Sequence, residues 1–169
     1  MSVIVYVWKN SPSEMGHVSL QINETYISFW PKGRAKAKND IKLGQTHESS
    51  FPSSYIVDKR LERKDSDNKI LLKKLNEELM LDYWDDFKNN QKRYNMLKSN
   101  CSTVVASLLE IGSGVTPLKS PSIRINDYVN NKYMRWALKL RFFGNYIHMW
   151  TPNDVMMYAL QIRSCKTPK

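Results

Sequence analysis

The stretch GHVSLQINETYISFWP, residues 16–31, decides the fold. It alternates apolar and polar side chains on both sides of Asn23-Glu24, the pattern of two half-buried strands joined by a tight turn. With those two residues as the turn, Ile22 faces Thr25, Leu20 faces Ile27, Val18 faces Phe29 and His17 faces Trp30. One face of this hairpin carries Val18, Leu20, Ile22, Ile27 and Phe29 and belongs against a core. The other carries His17, Ser19, Gln21, Tyr26, Ser28 and Trp30, a polar and aromatic set. Pro31, which cannot donate to a ladder, ends the second strand.

Upstream, Ser2 to Trp8 is a Val-rich run that reads as a strand buried on both faces. Downstream, residues 32–54 hold Gly, Pro, Ser and many charges and read as a long loop or flap. SYIVDKRL has the composition of a third strand. From Asp67, with Asp65, Ser66 or Asp67 as cap, Ile70, Leu71, Leu75, Leu79, Tyr83, Trp84 and Phe87 recur at helical spacing. A second helix follows from Asn100, and Gly112 and Gly114 are expected to stop it. Residues 126–163 read as a basic amphipathic helix, a short strand NYIHMW and a closing helix. Thr151, Pro152 and Asp154 supply that last helix with a cap, a first residue and a capping box. The expected organisation is one α+β domain over 1–169, a small antiparallel sheet against helices. Its parts are a His-bearing hairpin (1–31), a flap (32–54), a helical region (67–114) and a helix-strand-helix (126–163).

The chemistry concentrates in NCSTVVASLL. Asn100 is a good N-cap, which puts Cys101 in the first turn of its helix. There the macrodipole and the free backbone N–H groups favour thiolate and can hold an oxyanion. A lone Cys beside Val and Leu is more often packing, so the position needs a base to mean catalysis. The chain has three His. His47 lies in the charged flap and reads as solvated, and His148 lies among apolar residues and reads as structural. His17, on a rigid strand beside hydroxyls, suits a general base. No metal-ligand spacing is present.

Composition bounds the alternatives. The 169 residues carry a formal net charge of +10, 41% hydrophobic and 25% charged side chains. Such a chain buries a core, and its positive charge suits anionic surfaces. No nucleic-acid motif is found. Two Cys make no disulfide framework and fit a reducing compartment. No run approaches a membrane span, and the N-terminal residues lack the basic region of a secretory signal. The stretch NNKYMRWALKLRFFGNYI, with Lys132, Arg135, Lys139 and Arg141 among aromatics, is suited to an anionic membrane surface.

The order of His-bearing strand, hairpin and Cys at a helix start resembles the circularly permuted papain-like (NlpC/P60-like) superfamily. Within it, Gly16 to Leu20, Tyr26 to Pro31, Asn100 to Thr103 and Trp150 to Ala159 look most like the Rho-inactivation-domain toxins and effectors, which are lysine fatty acyltransferases. The lead-in YNMLKSNC is also similar to permuted isopeptidases, and less closely to the lecithin:retinol acyltransferase group. The resemblance implies Cys101 as nucleophile and His17 as base. It also implies an acidic third residue, for which Asp40 is favoured over Asp58. Ser28 could orient the imidazole, with or without an acid, and Ser102 could support the oxyanion. It further implies a thioester, a protein substrate, acyl-CoA as donor without a tightly bound cofactor, and an effector in the cytoplasm or secreted into a host cytosol. A cysteine peptidase and a catalytically silent binding module of the same fold are the alternatives. Trp30, Trp84, Phe142, Phe143 and Trp150 are candidates for an acyl slot.

Overall fold

A computed structural model describes residues 2–10, 15–33, 45–90, 93–128 and 131–166. Asp40 lies outside the described residues. The architecture is α+β, with small antiparallel sheets packed against helices.

The main sheet has four strands in the order β3-β2-β1-β6: β1 (Val3–Trp8), β2 (His17–Ile22), β3 (Thr25–Ile27) and β6 (Asn68–Leu72). Near the turn the hairpin register is as expected, with Ile22 opposite Thr25 and Leu20 opposite Ile27, but the expected pairing of His17 with Trp30 is replaced by Trp30 with Ser50. Past Ile27 the chain leaves the hairpin. Trp30 and Pro31 form β4 and pair instead with β5 (Thr46–Ser50), which continues to β7 (Arg93–Asn95) in a second sheet. Part of the expected flap is therefore a strand.

Val3, Val5 and Val7 with Val18, Leu20 and Ile22 form one face of the main sheet. Onto it pack α3 (Cys101–Ser113) and α6 (Pro152–Lys166), with α2 (Glu77–Asn90) lying behind α3. Trp84 sits in this core among Phe51 and Phe87. The other face holds Tyr6, Trp8 and Tyr26, covered by α1 (Tyr55–Glu62) through Tyr55, whose ring lies 4.7 Å from that of Tyr6. β1 is accordingly buried on both sides.

Two segments differ from the sequence reading. SYIVDKRL is the helix α1, not a strand. Its inward residues are Asp58 and Glu62, four apart, while Ile56 and Val57 point to solvent. The polar pair keeps the helical period and outweighs the β-branched composition. Residues 68–72 are strand β6, not the start of a helix. Ile70 and Leu72 are buried and Lys69 and Leu71 exposed, a period of two set by pairing with β1. The helix starts later, where the Asn76 side chain accepts from the Leu79 N–H at 3.2 Å. Of the two expected glycine stops, Gly114 is the left-handed cap of α3. Gly112 lies inside the helix instead, where a Cβ would meet the Met80 sulfur at 2.2 Å.

The C-terminal part contains the short hairpin β8 (Ser122–Arg124) with β9 (Tyr146–His148). It brackets α4 (Ile125–Tyr128) and α5 (Lys132–Arg141). The expected capping box opens α6: the Thr151 N–H donates to the Asp154 carboxylate at 3.0 Å and the Asp154 N–H donates to the Thr151 hydroxyl at 3.2 Å. Among the described residues no helix is long and apolar enough to cross a membrane.

Candidate active site

His17 opens β2 directly after Gly16. That glycine has φ +65°, and a Cβ there would stand 2.3 Å from the Trp8 carbonyl oxygen, so only glycine delivers the chain to His17 at this close approach. The imidazole is 1% exposed. Trp30 stacks on it, with ring centroids 3.9 Å apart and planes inclined by 21°. Trp8 lies nearby, 5.6 Å between centroids. The two indoles leave the ring little freedom to rotate.

The imidazole Nε2 is 3.0 Å from the Asp58 carboxylate and 3.1 Å from the Ser28 hydroxyl. Asp58 is fully buried and collects three further donors: the Tyr26 hydroxyl at 2.7 Å, the Ser28 hydroxyl at 3.0 Å and the Trp30 indole N–H at 2.7 Å. Ser19 joins through Tyr26, 2.6 Å between hydroxyl oxygens. Burial and the adjacent carboxylate push the Tyr26 hydroxyl well above its ordinary range, which keeps it a donor. Thus the polar hairpin face forms one network closed by α1. The sequence signal was the alternation of His17, Ser19, Tyr26, Ser28 and Trp30. The acid it surrounds is Asp58, the carboxylate ranked second from sequence, and nothing local in SYIVDKRL marks it.

Cys101 meets His17 from the other side. The Asn100 side chain accepts from the Thr103 N–H at 2.8 Å, so Cys101 is the first residue of α3, as the sequence implies. The same amide donates to the carbonyls of Met96 at 2.7 Å and Trp150 at 3.2 Å, which ties the helix start to the entry of α6. The thiol and the His17 ring line the same cleft, close enough for the imidazole charge to act on the sulfur. With Nε2 given to Asp58, Nδ1 is the nitrogen left for sulfur. Ser102 is buried, with its hydroxyl 3.9 Å from the sulfur, so it adds a weak donor to a thiolate. Ser28 orients the imidazole and is not placed to hold an oxyanion.

The electrostatics follow from this packing. Burial alone would push His17 down, but the Asp58 carboxylate and the Cys101 thiolate outweigh it and raise the imidazole to about 9. Burial alone would push the thiol up, but the His17 charge and the hydrogen bonds around sulfur bring it below its ordinary value. Burial likewise opposes the Asp58 carboxylate, and the His17 charge with three donors holds it below the usual carboxylate range. Both shifts act in one direction, toward a thiolate beside an imidazolium. Two different pH profiles should result. Alkylation needs only thiolate, so it should rise at lower pH than for a free thiol and then hold. Any reaction that also needs the imidazolium proton should fall as pH rises through about 9. Rates with iodoacetamide and with an acyl thioester across pH check this.

The cleft before Cys101 has about 520 Å³ of empty space including its mouth, and Met15, Trp30, Met149 and Trp150 give it apolar walls. Of the candidate acyl-slot residues, Trp30 and Trp150 are here, Trp84 and Phe142 belong to the core packing, and Phe143 stands in solvent. His47 lies on β5, and His148 pairs through Nδ1 with Ser120 at 3.2 Å.

No curated protein and no solved structure matches the chain. The family described as the IcsB middle domain matches residues 57–166, about two thirds of the chain, and the chain belongs to that family.

Proposed function

We propose that this member of the IcsB middle-domain family is a cysteine-dependent acyl-transfer enzyme, a protein-modifying effector that acylates lysine. The observation that carries the reading is the single buried network in which Asp58 fixes His17 and His17 meets a thiol at a helix N-terminus. The order of strand-borne base before helix-borne nucleophile is that of a circularly permuted papain-like fold, and the family tie supports the effector setting.

The Cys101 thiolate attacks the carbonyl carbon of an acyl thioester, for which acyl-CoA is the donor class. The oxyanion forms beside the first N–H groups of α3. As the tetrahedral adduct collapses, the donor thiolate leaves and takes the His17 proton. A lysine amine then attacks the Cys101 thioester and His17 accepts its proton. Cys101 departs as thiolate, and the starting ion pair is restored. The apolar walls of the cleft favour an acyl chain over bulk water as neighbour of the thioester, which disfavours hydrolysis.

Incubation with palmitoyl-CoA followed by mass spectrometry tests this. The expected result is an acyl adduct on Cys101 that is absent from Cys101→Ala and moves to lysine when an acceptor protein is added. Absence of the adduct with cleavage of a ubiquitin-like fusion would replace the transferase by a peptidase. Absence of both would refute catalysis altogether.

A further inference from the structure

Helix α5 turns apolar side chains away from the protein. None of its residues is fully buried, and Leu138, with Phe142 just beyond the helix, rests on the core. At 3.6 residues per turn the opposite face is Tyr133, Trp136, Ala137 and Leu140, an i, i+3, i+4, i+7 stripe. Tyr133 is 84%, Trp136 66% and Leu140 56% exposed. Phe143, past the last turn with φ +52°, is 98% exposed. Lys132 and Lys139 flank the stripe on one side and Arg141 on the other, and no Asp or Glu occurs between Asp127 and Asp154.

A soluble helix orients this pattern the other way, with its apolar stripe inward and its cations in water. Here the stripe itself is presented. From its aromatic composition and its purely cationic border we infer that the outward face of α5 docks on an anionic phospholipid surface. Trp136 and Tyr133 enter the headgroup region, where amphipathic rings are stable, and Leu140 and Phe143 reach the acyl boundary. Lys132, Lys139 and Arg141 lay their stems along the same apolar plane and reach lipid phosphates. The overall charge of +10 draws the protein to the same surface from a distance. From α5 the chain runs through β9 into Met149 and Trp150, which wall the cleft, so a docked α5 is joined to the cleft wall by a short connection. Acceptors held at a membrane are the ones this arrangement serves. The docking itself does not rest on the catalytic reading.

Co-sedimentation of the full chain with vesicles of phosphatidylcholine alone, and of phosphatidylcholine mixed with phosphatidylserine, tests it. Binding is expected to the anionic vesicles only and to weaken with salt. Trp8, Trp30 and Trp84 are 3% exposed or less. A blue shift of tryptophan emission on binding, lost in Trp136→Phe, would therefore locate the contact. The triple change Lys132→Glu, Lys139→Glu, Arg141→Glu should lower partitioning at least ~100-fold, at about fivefold for each cation. Tyr133→Ser, Trp136→Ser, Leu140→Ser should abolish it. Both variants keep iodoacetamide labelling at Cys101, which checks that they fold. Absence of sedimentation, equal sedimentation with neutral vesicles, or sedimentation that survives the serine variant would overturn the inference and assign the face to a protein partner.

Discussion

Asp58→Asn is expected to leave the protein folded while cutting thioester formation by about 10⁴, the scale seen when the orienting carboxylate of a catalytic triad becomes an amide. Four donors converge on Asp58: the His17 Nε2, the hydroxyls of Tyr26 and Ser28, and the Trp30 indole. An amide offers one acceptor oxygen and brings an NH₂ that must face one of those donors. His17 can relieve the clash by moving its proton to Nδ1. That is the nitrogen facing Cys101, so the base arrives already protonated and uncharged. Asp58→Ala removes the acceptor entirely and strands the donors in a dry site. It should cost about 3–5 kcal/mol, read as a fall in Tm. The same carboxylate makes the fold acid-sensitive. Its folded value lies below the reference 3.8, so its stabilisation is present above 3.8 and is lost as pH falls through the lower folded value. Full activity in Asp58→Asn would remove the carboxylate from the mechanism.

The second large effect concerns which thiol reacts. Cys101 is 8% exposed whereas Cys165 is exposed, so access alone makes Cys165 the faster target of iodoacetamide. The opposite is expected, because the Cys101 thiol is held below its ordinary value and carries more thiolate than a free thiol at the same pH. His17→Ala is the decisive variant. Burial pushes the Cys101 thiol up, and the imidazolium is the foremost group opposing it. Without the imidazole, that opposition to burial is gone and the thiolate fraction at neutral pH falls. The labelling rate at neutral pH should then fall in proportion to the thiolate that is lost. Mapping the adduct by mass spectrometry reads both cysteines in one experiment. Equal rates at the two thiols, or no change in His17→Ala, would show that Cys101 is packing and not a nucleophile.

Much of this arrangement is written in local pattern. The hairpin register follows from strict alternation about Asn23-Glu24, which puts His17, Ser19 and Tyr26 on one face, while Ser28 and Trp30 reach the same network from beyond the hairpin. The N-cap of α3 and the capping box of α6 are short-range signals, and each forms where the sequence puts it. What escapes is whatever depends on a distant partner. Residues 68–72 carry apolar spacing that serves helix or strand, and only the free edge of β1 makes them a strand. Asp58 has no distinguishing neighbours. Its role comes from four donors contributed 28 to 41 residues upstream. Gly112 looks like a stop signal because nothing nearby announces that Met80 will lie against it.

The main sheet draws a boundary that differs from the one drawn by likeness. The family match spans 57–166 and so contains Cys101 and Asp58, the proposed nucleophile and its partner carboxylate, yet the proposed base sits at residue 17. That base rides on β2, and β1 beside it is hydrogen bonded on its far edge to β6, which lies inside the matched span. The matched span and the buried His17–Asp58–Cys101 constellation are therefore not the same length of chain. A fragment cut at the family boundary would expose the apolar faces of α3 and α6, and would carry a sulfur with nothing to ionise it.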